Sequence, residues 1–261
     1  MSKQKTFGRS RPSIANELKF RRELESLIEE MQKDVQKELD AYLKQEVAQD
    51  ASLRLWASVV KALRERWYKK FEMRGRILER WLTKHTMRRT DAQILRKLKQ
   101  LGMTITPNFT QEEKELIREL SKENVSMIKS IPQQYLMSVQ KAVSESFKAG
   151  LDSQQLYEHL EKVMEANDER VKNRARLITR DQMNKMTQRM FMASAKSIGA
   201  TRGRWIHVPG KYSSRITHLH MDGKPFPLDE GLYDSDVGRK VKPGELIYCN
   251  CQMEILVPGF E

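Results

Sequence analysis

The two cysteines of this 261-residue chain, Cys249 and Cys251, stand one residue apart, and histidines at 207, 218 and 220 precede them. Thiolate and imidazole are the ligands that zinc prefers, so Cys249, Cys251, His218 and His220 form a candidate set for a structural zinc ion. The spacing imposes a condition. On an extended strand residues i and i+2 face one side with β-carbons roughly 7 Å apart, whereas two sulfurs each about 2.3 Å from one zinc ion lie within about 4 Å of each other. A metal site therefore needs a bend at Cys249-Asn250-Cys251. His218 and His220 meet a similar condition, since i and i+2 converge on one ion from a strand but diverge from a helix. The competing reading is a reduced, half-buried cysteine pair that pins its surroundings without an ion. A disulfide between the two would close only a tiny strained loop, which excludes a disulfide framework.

The same stretch reads Arg215-x-x-His218-x-x-x-Asp222-Gly223. One reading has Arg215 salt-bridged to Asp222 across a turn, with His218 packed beneath. A second makes His218 or His220, with Asp222 and an ion, the centre of a metal-dependent nuclease. Such an enzyme needs hard oxygen ligands and an activated nucleophile. Thiolates instead favour a closed structural site, so the nuclease is the alternative and an enzyme is not the expectation.

A different chemistry is written in the charge. The chain carries 48 Lys+Arg against 35 Asp+Glu, a formal net charge of +13. Residues 51–100 hold fifteen bases and four acids, so the excess is local. Arg54, Lys61, Arg64, Arg66, Lys69, Lys70, Arg74, Arg76, Arg80 and Lys84 surround an apolar stripe, and part of that charge must project to solvent. So lopsided a segment predicts sequence-indifferent contact with the phosphates of double-stranded DNA. Trp56, Trp67, Phe71 and Trp81 fall on the apolar stripe and read as core or subunit interface, with base stacking the lesser reading. Met183, Met186, Met190 and Met192 read as adaptable packing.

These residues need elements to hold them. Between residues 13 and 198 there are three glycines and two prolines, against eight and five from Gly199 onward. The first region is predicted helical and the second built of strands and turns. Apolar residues at Leu24, Ile28, Met31, Val35, Leu39 and Tyr42 keep helical spacing, and the pattern continues from Trp56 to Trp81. Gly102 fits a helix end, and Thr110 with Glu113 fits a capping box opening a helix that runs towards Gly150, bent at Pro132. Asp152 or Ser153 would cap a helix to about Ala166, and Asp168 another to about Ile198. Short strands are expected over residues 204–208 and 247–257, with Asp222-Gly223 a tight turn. The fold class is mainly α: an elongated helical body followed by a small α+β C-terminal module.

Along the chain this divides into a flexible basic arm at 1–12 (Lys3, Lys5, Arg9 and Arg11 without an acid), a helical region at 13–149 and a module at 150–261. The tail of about 60 residues is too small to be very stable alone and is expected to pack on the last helices. The first twenty residues hold no signal-peptide-like apolar run, and no segment has the roughly 18 uncharged apolar residues of a membrane span.

The module's ordered residues carry a resemblance. Arg174, Arg176, Ile178, Thr179, Arg180 and Asp181 on a helix are followed by Trp205, Arg215-x-x-His218-x-x-x-Asp222-Gly223, Pro243-Gly244, Cys249-Asn250-Cys251 and Pro258. In order and spacing this resembles the phage Mu F-like head morphogenesis family, also called minor capsid proteins, over residues 150–258. The family's I-A-R-T-E stands here as Ile178-Thr179-Arg180-Asp181-Gln182, and its C-R-C as Cys249-Asn250-Cys251. The resemblance implies a minor component of a tailed-phage virion, made in the host cytoplasm and placed inside the head beside the portal protein in several copies. It also implies contacts with other capsid proteins and a part in head assembly or in genome packaging and ejection. Modules of this kind also occur fused to toxin domains, and with three residues after Pro258 no such domain is expected here.

Overall fold

A computed structural model of the chain describes residues 5–46, 53–150, 153–210 and 214–259. Lys3 of the basic arm and the side chain of Arg54 lie outside the described residues. Four long helices dominate, α1 (Ile14–Glu46), α2 (Leu53–Gln100), α3 (Gln111–Lys148) and α4 (Ser153–Lys196). The remaining elements are β1 (Thr6–Arg9), β2 (Arg202–Ile206), a short helix α5 (Ile216–Met221), β3 (Pro225–Pro227), β4 (Leu232–Asp234), β5 (Arg239–Val241) and β6 (Gln252–Leu256). The fold is thus mainly α with a small antiparallel module at its C-terminal end. None of the described helices is long and apolar enough to cross a membrane.

The chain divides into two compact units, each assembled from separate stretches. One comprises Lys19–Glu79 and Glu123–Ile178; the other Met1–Leu18, Arg80–Lys122 and Thr179–Glu261. The division falls inside the long helices and not at residues 12 and 149, where the sequence pattern changes.

The first unit is four helical segments around an apolar core. Leu24, Ile28, Met31, Val35, Leu39 and Tyr42 of α1 and Trp56, Val60, Leu63, Trp67 and Phe71 of α2 are all buried, at spacings of three or four that put them on one face. Each helix touches the next. Arg66 and Lys70 of α2 pair with Glu38 and Glu30 of α1 at 2.9 and 2.7 Å, and Lys129 of α3 with Glu72 of α2 at 3.3 Å. Arg174 of α4 donates to the Ser130 hydroxyl of α3 at 2.9 Å, and Gln32 of α1 donates to Asp168 of α4 at 2.6 Å.

That last contact explains a correction. A helix boundary near residues 166–168 is not formed: α4 runs unbroken through Asp168, whose carboxylate is engaged across the unit rather than with the backbone N–H groups of a helix start. Asp caps only where a helix begins, and neither glycine nor proline stands between 153 and 196 to end one. Pro132 likewise lies within a continuous α3.

The second unit carries a four-stranded antiparallel sheet in the order β1-β6-β2-β3 and a separate β4-β5 hairpin. Its core joins Phe7 of β1, Ile94 and Leu98 of α2, Phe191 and Met192 of α4, and Trp205, Phe226, Val241, Met253 and Ile255 of the tail. The tail does pack on helix ends, as its size required. Thr110 N–H donates to Glu113 and Glu113 N–H to the Thr110 hydroxyl, so the capping box opens α3 as expected.

The arm is a second correction. Residues 6–9, expected to be flexible, form the edge strand β1 on β6. Phe7 is buried, Arg9 stands opposite Glu254, and Gln93 donates to the Phe7 carbonyl at 3.0 Å. One buried aromatic and the pairing of β1 with β6 outweigh the solvation that a run of bases without an acid suggested.

Candidate metal centre

Three segments far apart in sequence meet at one place. β2 ends at Ile206 and delivers His207; α5 carries His218; and the irregular stretch before β6 holds Cys249 and Cys251. The bend that a metal site demanded at Cys249-Asn250-Cys251 is present. The strand begins only at Gln252, Cys249 N–H closes a turn on the Leu246 carbonyl at 3.0 Å, and Tyr248 adopts a positive φ of 58°.

The ligand atoms of His218, Cys249 and Cys251 all lie within 4.8 Å of one another, and all three residues are buried. His218 Nδ1 is 3.4 Å from Cys249 Sγ and 3.6 Å from Cys251 Sγ. Its other nitrogen, Nε2, lies 3.0 Å from Asp234 Oδ2. A carboxylate only accepts, so this contact places a ring proton on Nε2 and turns Nδ1 towards the sulfurs. His207 Nδ1 lies 3.6 Å from Cys251 Sγ, and its Nε2 is 3.1 Å from the Ser214 hydroxyl.

The electrostatics favour one thiolate here. Its neighbour Cys251 holds the Cys249 thiol far below the ordinary range, at about 4, with His218 assisting and burial opposing. The same contact and burial push Cys251 upward. Burial works to lower the basicity of His218, but Cys249 and Asp234 together outweigh it and raise it.

The remaining motif residues are the frame. Trp205 packs its ring edge-on to His218, centroids 5.1 Å apart. Gly223 N–H donates to the Trp205 carbonyl at 2.9 Å, tying the turn to β2. Asp222 accepts from the His207 N–H at 2.7 Å, and Arg215 donates to the Ile247 carbonyl at 3.0 Å. The Arg215–Asp222 bridge of the first reading is therefore replaced by two contacts, one holding His207 at the end of β2 and the other the stretch before Cys249. His220 is a further correction: it is exposed on α5, two residues from buried His218. Six helical residues turn i and i+2 apart, and His207 stands by the sulfurs instead.

Helix α4 supplies the seat. Residues 181–188 are buried on every side, polar ones included. Asp181 accepts from the Tyr248 N–H at 2.6 Å, and Asn184 donates to the carbonyls of Cys249 and Cys251 at 2.7 and 3.2 Å. Pro243 and Gly244 are buried in the turn that lies on Asn184 and Gln188. Asp181 and Lys185 pair at 3.3 Å within the helix. Sequence reasoning did not single out Asn184, Gln188 or Asp234. The available signal was the run Asp181–Gln188, which offers polar groups on every face of a helix in a region otherwise rich in methionine.

Chemically, Cys249, His218 and Asp234 line up as a thiol, an imidazole and a carboxylate, but their exposures of 3%, 2% and 0% leave the sulfur no approach for a substrate. Among the described residues no carboxylate joins the His/Cys/Cys group as a ligand. Asp222, on which the nuclease reading relied, is occupied with backbone. The arrangement suits a closed ion site, not a turnover site.

The basic residues form no comparable cluster. On α2, Lys61, Arg64, Arg66, Lys69, Arg74, Arg76, Arg80 and Lys84 are exposed and Lys70 half-buried. Arg66 and Lys70 spend their charge on acids of α1, and Arg76 pairs with Glu72 at 2.7 Å. Trp56, Trp67 and Phe71 are core, with Trp67 donating to Asp34 at 2.7 Å; Trp81 is half-buried against His85. The four methionines of α4 are buried packing.

A family model described as Phage Mu protein F like protein matches residues 137–254, which spans the helix motif and every ligand-bearing segment. An uncharacterized protein of Haemophilus influenzae is 26% identical over 148 residues, covering 56% of this chain and 30% of that relative. No solved structure matches.

Proposed function

From the Phage Mu F-like match over residues 137–254, we propose that this chain is a minor capsid, head morphogenesis protein of a tailed phage. The observation that carries the reading is that the family's ordered motif, from Trp205 through Gly223 and Gly244 to Cys251, closes on one buried centre, so the match extends to the residues that build the module. The buried centre favours a structural part over a catalytic one, and in this reading it holds a zinc ion. The protein sits inside the head beside the portal, after synthesis in the host cytoplasm, and assists assembly or genome packaging and ejection. Its partners are the portal protein, other capsid proteins and the DNA itself. Lys61, Arg64, Lys69, Arg74 and Lys84 make the DNA contact, being exposed cations on one helix.

The test is compositional. Particles assembled with the protein present should contain it by mass spectrometry, and pull-down from disrupted heads should recover a ring-forming portal protein with it. Heads that lack it altogether would overturn the reading.

A further inference from the structure

We propose that the centre is a four-coordinate site in which His207 is the fourth ligand beside His218, Cys249 and Cys251, with Asp234 and Ser214 orienting the two imidazoles. This rests on the reading of the cluster as a metal centre and adds its full ligand set. His207 reaches Cys251 Sγ at 3.6 Å but stands outside the trio whose ligand atoms all lie within 4.8 Å of one another, and the sequence pattern favoured His220.

Three edges of the four-atom set have the length that tetrahedral zinc requires. With sulfur about 2.3 Å and nitrogen about 2.05 Å from zinc, a sulfur and a nitrogen at tetrahedral angle stand about 3.6 Å apart. Three of the four sulfur–nitrogen separations of this set, those of His218 to both sulfurs and of His207 to Cys251, are 3.4, 3.6 and 3.6 Å. Thiol-to-imidazole hydrogen bonding does not explain the set. Cys251 Sγ has two ring nitrogens at the same distance and His218 Nδ1 has two sulfurs, so the two thiol protons face three contacts. A cation between the four atoms satisfies all of them.

The outer contacts agree. Ligating imidazoles characteristically give their second nitrogen to a carboxylate or other polar partner. His218 does so with buried Asp234, and His207 with Ser214. The His207 backbone is also held, by Asp222, which assigns the motif aspartate a purpose: it places a ligand that is not itself in the motif. Two thiolates and two imidazoles with no open position select zinc over magnesium or calcium, which require oxygen. The site ties the end of β2, α5 and the approach to β6 together within the second unit.

The full-length protein, purified without chelator, is tested by elemental analysis and by competition with a chromogenic zinc chelator. Wild type should hold about one zinc per chain. His207→Gln, at a half-buried position, should keep its helix content while binding zinc at least about 10-fold more weakly, and Asp234→Asn should bind about 10–100-fold more weakly. Exposed His220→Gln should bind as wild type does. Cobalt-loaded wild type should show the strong visible bands of a tetrahedral ion and a thiolate charge-transfer band, a readout that needs no variant to fold. If wild type takes up no zinc even when it is supplied in excess, the metal reading falls and the proposal with it. If wild type holds zinc and His207→Gln holds it equally well, the four-ligand set is wrong while the metal reading stands.

Discussion

Gly244 shows how much a single position of the motif has to satisfy. It lies in the turn over α4 with φ +74°, and a β-carbon there would meet Gln188 Cγ at 2.8 Å and Asn184 Nδ2 at 3.0 Å. The backbone conformation costs an L-residue about 1–2 kcal/mol, and the clash adds about 1–3 kcal/mol. Gly244→Ala should therefore lose about 2–5 kcal/mol in denaturant unfolding. Gly238, at φ +68° with open space around it, isolates the first contribution, so Gly238→Ala should lose only about 1–2 kcal/mol. Equal losses would mean that the approach to α4 does not matter. Because Asn184 also holds the carbonyls of Cys249 and Cys251, displacement at Gly244 passes directly to the ligand loop.

At the scale of elements, the C-terminal strands are not a free-standing domain. Their core is completed by Phe7 from β1, by Ile94 and Leu98 from α2, and by Phe191 and Met192 from α4. A fragment beginning at Gly199 keeps about 60 residues, near the size at which burial becomes marginal, and loses all five of those side chains. It should show no cooperative thermal melt, with or without added zinc. A sharp two-state transition in that fragment would show that the strands and an ion suffice. The reason the helices are indispensable is chemical as well as apolar, since Asp181, Asn184 and Gln188 satisfy backbone groups of the loop and of Ser10 that the strands leave open.

For the molecule as a whole, the question is where the charge goes. Arg66 and Lys70 are matched by Asp34, Glu38 and Glu30, so they hold α1 to α2 more than they attract a polyanion. Lys61, Arg64, Lys69 and Arg74 are exposed, and no acid among the described residues forms an ion pair with them. Binding to duplex DNA should be sequence-indifferent, with the logarithm of affinity falling against that of salt by about 0.9 per phosphate contact. Replacing those four residues with glutamine should flatten the slope by up to about 3.6, with helix content retained. The Arg66→Gln, Lys70→Gln pair should change it far less and instead lower stability by up to about 1 kcal/mol per ion pair. Binding that does not respond to salt, or a slope unmoved in the fourfold variant, would assign the charge to an acidic protein surface such as the portal's.

What the sequence determined by itself is what depends on near neighbours. Helical periodicity from Leu24 to Phe71, the Thr110–Glu113 box and the need for a bend between Cys249 and Cys251 all follow from a few adjacent residues and the dimensions of the backbone. So does the rule that His218 and His220 cannot share an ion from a helix. The tertiary structure alone decided the pairings across distance. Asp234 rather than Asp222 serves His218, His207 rather than His220 joins the sulfurs, β1 docks on β6, and Asn184 carries a loop some 65 residues away. Each of these selects one partner from several chemically equivalent candidates, and only the packing that brings distant segments together makes that choice.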